Sequence, residues 1–415
     1  MWKYIIDTVQ IIFVICSEYL KYTINIQSYN NYIINVFDYL SNKNIIYIKI
    51  LQWDIYKMFS NNKVIGDYTK TFCSNAPYNK EDINYEVLHK IKKYANENNK
   101  SLYIYDETPI NSGTVALVFK GTLDNKPIAI KLLRKNIHTK IKIGIDNIII
   151  TVKIINFISS FFIKQNNNIL NSIESNKLIL LKQTNLLEEI KNIEIFQEIT
   201  NSYENIIVPY VYKYFTTDVS NDIIVMEFIE GSTLEHLDNT ILKQHRKEID
   251  KFVLNMYTIH NAIHSDLHAG NIILTNDNKI CLIDFGLIIV LNDREKNLII
   301  DLFFCIKNAN YERLLLIIAK LISNDKVFIN NFIEKCKTLD IYKNIFTSVV
   351  SKKNVIDSVI LFNFFQIVQE VDIPKDTNIY FILLSMISSF SLIEQMKDKN
   401  IGVDLVLKEF FSEFI

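Results

Sequence analysis

Apolar positions recur at helical spacing from residue 1 to about residue 100. In the opening segment Trp2, Ile5, Ile6, Val9, Ile12, Phe13, Cys16 and Leu20 fall on one side, and Asp7, Gln10, Ser17 and Lys21 on another. Ile83, Val87, Leu88 and Ile91 make a later stripe, and Asn79 with Asp82 reads as the N-cap and acidic N3 partner opening that helix. At Leu102 the period changes. Residues 114–123 are β-branched and aromatic, Asp124-Asn125-Lys126-Pro127 is a turn, and 128–133 is the returning strand of a hairpin. Residues 136–180 are apolar and helical, and Leu186, Leu187, Ile190, Ile193 and Phe196 mark another amphipathic helix. Residues 208–214 and 223–228 read as strands. From Thr233 onward helix dominates, interrupted by one short strand pair at 272–274 and 280–283.

Composition narrows the classes open to such a chain. With 45 basic against 46 acidic residues in 415, the net charge of -1 excludes a broadly basic nucleic-acid binder. A hydrophobic content of 49% excludes disorder and supplies sizeable cores. The five cysteines form an odd set without a Cys-x-x-Cys pair, so neither a disulfide framework nor a zinc knuckle is indicated, and a reducing compartment fits. Ile, Asn, Lys and Tyr are abundant, with only 8 Gly and 5 Pro, as an AT-rich genome would give. Spacing therefore carries more weight than residue counts. The opening segment lacks the basic start and cleavage site of a signal peptide and is not an Arg/Ser-rich transit peptide. Residues 154–163 are too short to span a bilayer, and the 16 uncharged residues of 378–393 include Ser385, Ser388, Ser389 and Ser391. Both are expected as buried helices. No membrane span is expected, while a peripheral contact by the first helix stays open.

The most specific pattern is His264-Ser265-Asp266-Leu267-His268-Ala269-Gly270-Asn271, followed 13 residues after Asn271 by Asp284-Phe285-Gly286. This is the spacing of a kinase catalytic loop and its metal-binding segment. Phosphoryl transfer asks for alignment and charge neutralisation. Asp266 would orient or deprotonate the acceptor, Asn271 and Asp284 would offer hard oxygen ligands to Mg²⁺, and His264 would brace the loop. His260, His264 and His268 at four-residue spacing also suggest a metal helix, but Asp266-Leu267 and Gly270 speak for a loop. Upstream, Ile128-Ala129-Ile130-Lys131 stands where a kinase places its β3 lysine, with Lys131 off the face carrying Ile128 and Ile130. Glu189 is the preferred ion-pair partner on the following helix, with Glu188 its rival. Asn111-Ser112-Gly113-Thr114 is a small-residue loop whose amides could approach phosphate. Met226-Glu227-Phe228, with Gly231 beyond it, stands where a hinge would bind adenine.

Together these residues resemble the UbiB/AarF atypical kinase family, associated with ubiquinone synthesis, from about residue 45 to the C-terminus. The family's His-x-Asp-x-His-x-Gly-Asn loop is matched by His264, Asp266, His268, Gly270 and Asn271. Glu189 with Asn192 and Phe196 resembles its Glu-Ala-x-Asn-x-x-x-Phe helix, and Glu227 with Gly231 its hinge. Its Lys-x-Gly-Gln hallmark reads Lys49-Ile50-Leu51-Gln52, in an extension that covers the family's active site and blocks peptide access. The chain departs from the pattern at Leu51, at Gln183-Thr184-Asn185 in place of Glu-x-Asp, at Leu117 in place of Gln, and at Asn111-Ser112-Gly113-Thr114 in place of an Ala-rich loop, with Gly113 where the third alanine usually stands. An amide binds Mg²⁺ less well than a carboxylate and forms no ion pair with Lys49. A glycine shifts the loop toward an ordinary kinase lid.

The resemblance implies an α+β, protein-kinase-like two-lobed fold with an N-terminal helical extension and a mainly helical C-lobe. The expected division is 1–100 for the extension, 101–230 for an N-lobe with a helical insertion at about 136–180, and 231–415 for the C-lobe. It implies an enzyme using ATP and Mg²⁺, an ATPase or phosphotransferase. Asp266, Lys131 and Glu189 would be catalytic, and Asn271 and Asp284 would hold metal. Asn111, Ser112, Gly113, Thr114, Lys131, Glu227, Lys49 and Gln52 would bind the nucleotide. No Ala-Pro-Glu follows Gly286, which argues for a small-molecule or lipid-linked acceptor over a peptide. A protein kinase enabled by the Gly113 loop, and a nucleotide-dependent scaffold without turnover, are the alternatives. No nucleic-acid partner is expected. Without a mitochondrial presequence, the expected setting is the cytoplasm, a viral factory or a virion.

Overall fold

A computed structural model of the chain describes residues 2–49, 64, 65, 68, 76–106, 108–159, 177, 180–308, 310–338 and 378–396. The chain divides into two compact units, Met1–Ile190 with Pro209–Phe228, and Lys191–Val208 with Ile229–Ile415.

In the first unit, helices α1 (Trp2–Thr23) and α2 (Tyr29–Lys43) form an antiparallel hairpin. Glu18, buried on α1, accepts from the side-chain amides of Gln27 and Asn35 and from Lys21, whose ammonium is the main reason its carboxyl is held below the usual range. The buried side of α1 carries Thr8, Ile11 and Glu18, whereas Ile6, Val9, Phe13 and Leu20 of the expected stripe are exposed. Helix α3 (Tyr85–Glu97) buries Val87, Leu88, Ile91 and Ala95. The Asn79–Asp82 capping box is present, but it closes a short 3₁₀ turn at Lys80–Asp82, and α3 begins only after Asn84. The Asp82 carboxylate is also engaged by Arg134 and Lys140, which ties this turn to the sheet instead of to the helix.

The sheet of this unit comprises β1 (Leu102–Ile104), β2 (Asn111–Ser112), β3 (Ala116–Leu123), β4 (Lys126–Leu133) and, numbered along the chain, β6 (Ile223–Glu227). Its order is β1-β3-β4-β6, with β2 added beside β3, all antiparallel. The β3–β4 turn needs left-handed backbone at two successive residues, and Asp124 and Asn125 supply φ of 50° and 65°. Alternation along β4 sends Ile128, Ile130 and Leu132 into a core with Phe119, Val225 and Ile91. The expected strand at 208–214 is reduced to a single bridge, Val211 to Met226. Helix α4 (Ile137–Ser159) follows the sheet. Helix α5 (Leu186–Thr200) begins in this unit and continues in the second.

The second unit holds more strand than the expected single pair. Strands β5 (Ile206–Ile207), β10 (Ile280–Leu282), β9 (Ile272–Thr275) and β7 (Gly231–Thr233) lie side by side in that order. Strands β8 (Ala262–His264) and β11 (Ile288–Val290) form a separate antiparallel pair. Gly231 is required by close approach, since a Cβ there would lie 2.2 Å from the Leu274 carbonyl oxygen. The helices are α6 (Asn239–Thr258), α7 (Asp293–Lys307), α8 (Tyr311–Ile322), α9 (Lys326–Thr338) and α10 (Ile379–Gln395). Among the described residues no helix is long and apolar enough to cross a membrane.

Candidate functional site

The candidate residues fall into two groups, one in each unit. In the first, Lys131 sits on β4 between Val118 of β3 and Ile224 of β6. Its neighbours Ile130 and Leu132 are fully buried, so the pleat places Lys131 on the opposite face. There its ammonium lies 2.5 Å from the Glu189 carboxylate, with the two side chains 13% and 1% exposed. Glu189 is thus a partner of Lys131, while the backbone amide of Glu188 donates to the Asn185 side-chain oxygen at 3.2 Å. Asn185, where the family pattern carries a carboxylate, is therefore the N-cap of α5.

Of the expected small-residue loop, Asn111 and Ser112 form strand β2, and Gly113 and Thr114 lie in the connection to β3. Asn111 is exposed and Ser112 is buried, its hydroxyl donating to the Ala76 carbonyl at 2.6 Å. The Gly113 amide donates to the Ala116 carbonyl at 2.9 Å, closing a tight turn over Thr114 and Val115. Glu227 ends β6 and is exposed; its amide donates to the Tyr210 carbonyl at 2.8 Å, and its carboxylate accepts the Tyr210 amide at 3.4 Å. Lys49 is helical and half-buried, and Gln52 lies outside the described residues.

In the second unit the catalytic-loop pattern is held at both ends. His264, on β8, is fully buried. Its Nδ1 accepts the Asp266 amide at 3.3 Å, so the proton sits on Nε2, which donates to the Asp284 carbonyl. Burial holds the His264 imidazole below the usual range, keeping it in this neutral bracing form. The side-chain amide of Asn271 donates to the Asp266 carbonyl at 2.9 Å, and the His268 ring accepts the Gly270 amide at 3.1 Å. A Cβ on Gly270 would lie 3.1 Å from both the His268 ring and the Glu235 carboxylate, which accounts for the glycine. The β9–β10 hairpin pairs Ile272 with Leu282, and the Asn271 carbonyl accepts the Ile283 amide at 3.1 Å. A 13-residue separation along the chain thereby brings Asn271 and Asp284 to the same end of one hairpin. Phe285 is buried against Phe196 and His264, and its carbonyl accepts from Asn192 at 2.9 Å. The Asp284 carboxylate accepts the Gly286 amide at 2.9 Å.

This geometry agrees with what comparison with known proteins finds. The family model described as the ABC1 atypical kinase-like domain matches residues 74–318, more than half of the chain. The chain belongs to the ABC1 atypical kinase-like family. A protein of Shewanella sp. (strain ANA-3) named probable protein kinase UbiB is 26% identical over 227 residues, 51% of this chain and 39% of its own length. An uncharacterized protein in the hydrogenase 1 5′ region of Clostridium pasteurianum is 24% identical over 316 residues, 74% of this chain and 57% of its own. The chain thus spans roughly two fifths to three fifths of these curated relatives. A solved structure, the complex of Rv3197 with erythromycin from Mycobacterium tuberculosis, aligns with a TM-score of 0.42 at 14% identity, covering 77% of this chain and 83% of that one. The family match, with the mixed helices and antiparallel sheets described above, gives the chain a kinase-like α+β fold.

The donor set of this ABC1 chain fits a Mg²⁺ ion shared with phosphates. Asn271 spends its amide nitrogen on the Asp266 carbonyl, which fixes the side chain with its oxygen as the remaining donor. Asp284 adds a carboxylate. Among the described residues no group of three or more His, Cys, Asp or Glu could hold a metal. Two further groups escaped sequence reasoning. Arg134, three residues beyond Lys131, is a fully buried cation bonded to the Gly113 carbonyl and to Asp82. Ser388 of α10 donates to the Leu267 carbonyl at 2.8 Å, bracing the catalytic-loop segment. The only signal for either is a polar residue at a position where its stretch is otherwise apolar.

Proposed function

We propose that this chain binds ATP with Mg²⁺ and is a phosphotransferase or ATPase acting on a small-molecule or lipid-linked acceptor. The observation that carries this reading is the Lys131–Glu189 pair, a lysine on a central strand locked to a buried carboxylate. Such a pair aligns the α- and β-phosphates of ATP in kinases. Lys131 would bind phosphate, and Glu189 would hold Lys131 in place. Asp266 would orient the acceptor or take its proton, while Asn271 and Asp284 would hold Mg²⁺, which neutralises charge on the transferring phosphoryl group. Residues 111–114 would cover the phosphates, Glu227 would stand at the adenine, and Lys49 and Gln52 would lie over the nucleotide. The small-molecule acceptor is favoured because the stretch after Gly286 enters β11 at Ile288 and α7 at Asp293, leaving no separate segment to dock a peptide. The exposed apolar row Ile6, Val9, Phe13 and Leu20 supports a peripheral membrane contact by α1.

The test combines the full chain with Mg²⁺ and γ-labelled ATP and follows free phosphate and protein-bound label together, with Asp284→Asn as the blank. Phosphate release without labelled protein, abolished in the variant, is expected. Label on protein that disappears in the variant would favour a protein kinase instead, and absence of both signals would favour a scaffold.

A further inference from the structure

Of the three α5 residues Glu189, Asn192 and Phe196, only Glu189 has a chemical role in the reading above. The other two both meet Phe285. Four residues apart, they share one side of α5. The Phe196 ring packs on the Phe285 ring with centroids 5.3 Å apart, and the Asn192 side-chain amide donates to the Phe285 carbonyl at 2.9 Å. Asn192, Phe196, Asp284 and Phe285 all belong to the second unit. Asn192 is only 6% exposed, so water competes little for that bond.

The carbonyl held by Asn192 is one end of the Phe285–Gly286 peptide group. At the other end the Gly286 N–H donates to the Asp284 carboxylate at 2.9 Å. Among the described residues no peptide bond is cis, and in a planar trans unit the C=O and the N–H point in opposite directions. A donor fixed on the carbonyl side therefore fixes where the N–H aims, and with it one oxygen of Asp284. The preceding peptide group is held as well, because His264 donates to the Asp284 carbonyl. Any donor would satisfy the Phe285 carbonyl. Asn192 supplies one from a helix that the burial of Ile193 and Phe196 keeps in place, so the direction is set along with the bond. We propose that Asn192 is a positioning residue for the metal-binding carboxylate of Asp284, acting through the Phe285–Gly286 peptide group. This rests on the reading of Asp284 as a Mg²⁺ ligand. A partner standing behind a metal ligand typically carries about tenfold or more in metal affinity.

The test follows the Gly286 amide directly. The chain has 8 glycines, so ¹⁵N-glycine labelling of the full chain gives a sparse spectrum, in which Gly286 is identified by its loss in Gly286→Ala. The labelled chain is titrated with Mn²⁺ in the presence of ATP, the paramagnetic ion broadening resonances close to it. In the wild type the Gly286 resonance is expected to broaden. Asn192→Leu is expected to move that resonance before any metal is added and to leave most other glycine resonances in place. The Mn²⁺ needed for half-broadening is expected to rise about tenfold. An unmoved Gly286 resonance would overturn the hold of Asn192 on the peptide group. A moved resonance with unchanged Mn²⁺ demand would overturn its role in positioning Asp284. Both outcomes leave the metal reading standing. Asn192→Ser, too short to reach the carbonyl and without added bulk, is expected to give the same changes and decides the matter where the leucine variant does not fold. A wild-type Gly286 resonance indifferent to Mn²⁺ with ATP would refute Asp284 as a metal ligand and the inference with it.

Discussion

Lys131 and Glu189 bring a cation and a carboxylate together almost out of water, an arrangement that costs desolvation and is weak as a source of stability by itself. Breaking such a pair from one side is far more damaging than replacing both partners. Lys131→Met is therefore expected to destabilise the chain by about 3–5 kcal/mol in urea unfolding. Lys131→Met with Glu189→Leu is expected to recover most of that loss while leaving nucleotide binding abolished. A double variant that still binds MgATP normally would mean that the pair serves the fold alone. Arg134 shows the limit of single-residue reading in the sequence. Asp82 was visible as a helix-capping acid, yet its carboxylate is shared among the Asn79 amide, Lys140 and Arg134. Burial alone would raise the Asp82 carboxyl, but these donors together hold it below the usual range.

The longer elements were legible because their periods are strong. The hairpin β3–β4, the stripe of α3 and the pair β9–β10 lie where alternation or helical spacing predicts them. Strands of two or three residues, such as β5, β7 and β8, are too short to show alternation in a chain where Ile fills most apolar positions. Turns were obscured for a related reason. With only 8 glycines, the chain puts asparagine into left-handed backbone at Asn25, Asn99, Asn125, Asn136, Asn261 and Asn278, so the usual glycine punctuation is missing. The serines that counted against a membrane span in α10 have partners: the Ser385 and Ser389 hydroxyls each lie 3.2 Å from the buried Tyr257 hydroxyl, which donates to one of them and accepts from the other, and Ser388 donates to the Leu267 carbonyl. Ser388→Ala is expected to cost about 1 kcal/mol. Its turnover is expected to fall severalfold with KM for ATP unchanged, measured by steady-state phosphate release, because the bond lies behind the loop that carries Asp266. An unaltered turnover would make α10 a packing element only.

Across the chain, the candidate residues are divided between the two units, with Lys131 and Glu189 in one and Asp266, Asn271 and Asp284 in the other. Sequence spacing alone singled out the candidates in both, because a catalytic loop followed by Asp-Phe-Gly is a specific pattern and the Ile-Ala-Ile-Lys strand precedes it in kinase order. It did not single out Arg134 and Ser388, whose contacts with Gly113 and Leu267 lie 21 or more residues distant along the chain. The family membership, the lysine–glutamate pair and the Asn271–Asp284 hairpin all support the proposal of a nucleotide held through its phosphates and Mg²⁺. The most direct test is calorimetric titration of the full chain with ATP, with Mg²⁺ and with EDTA in parallel, alongside Lys131→Met and Asp284→Asn. One saturable site per chain that needs Mg²⁺ and is lost in both variants is the expected result. A chain that binds no ATP in Mg²⁺, or binds it equally well without Lys131 and Asp284, would contradict the account.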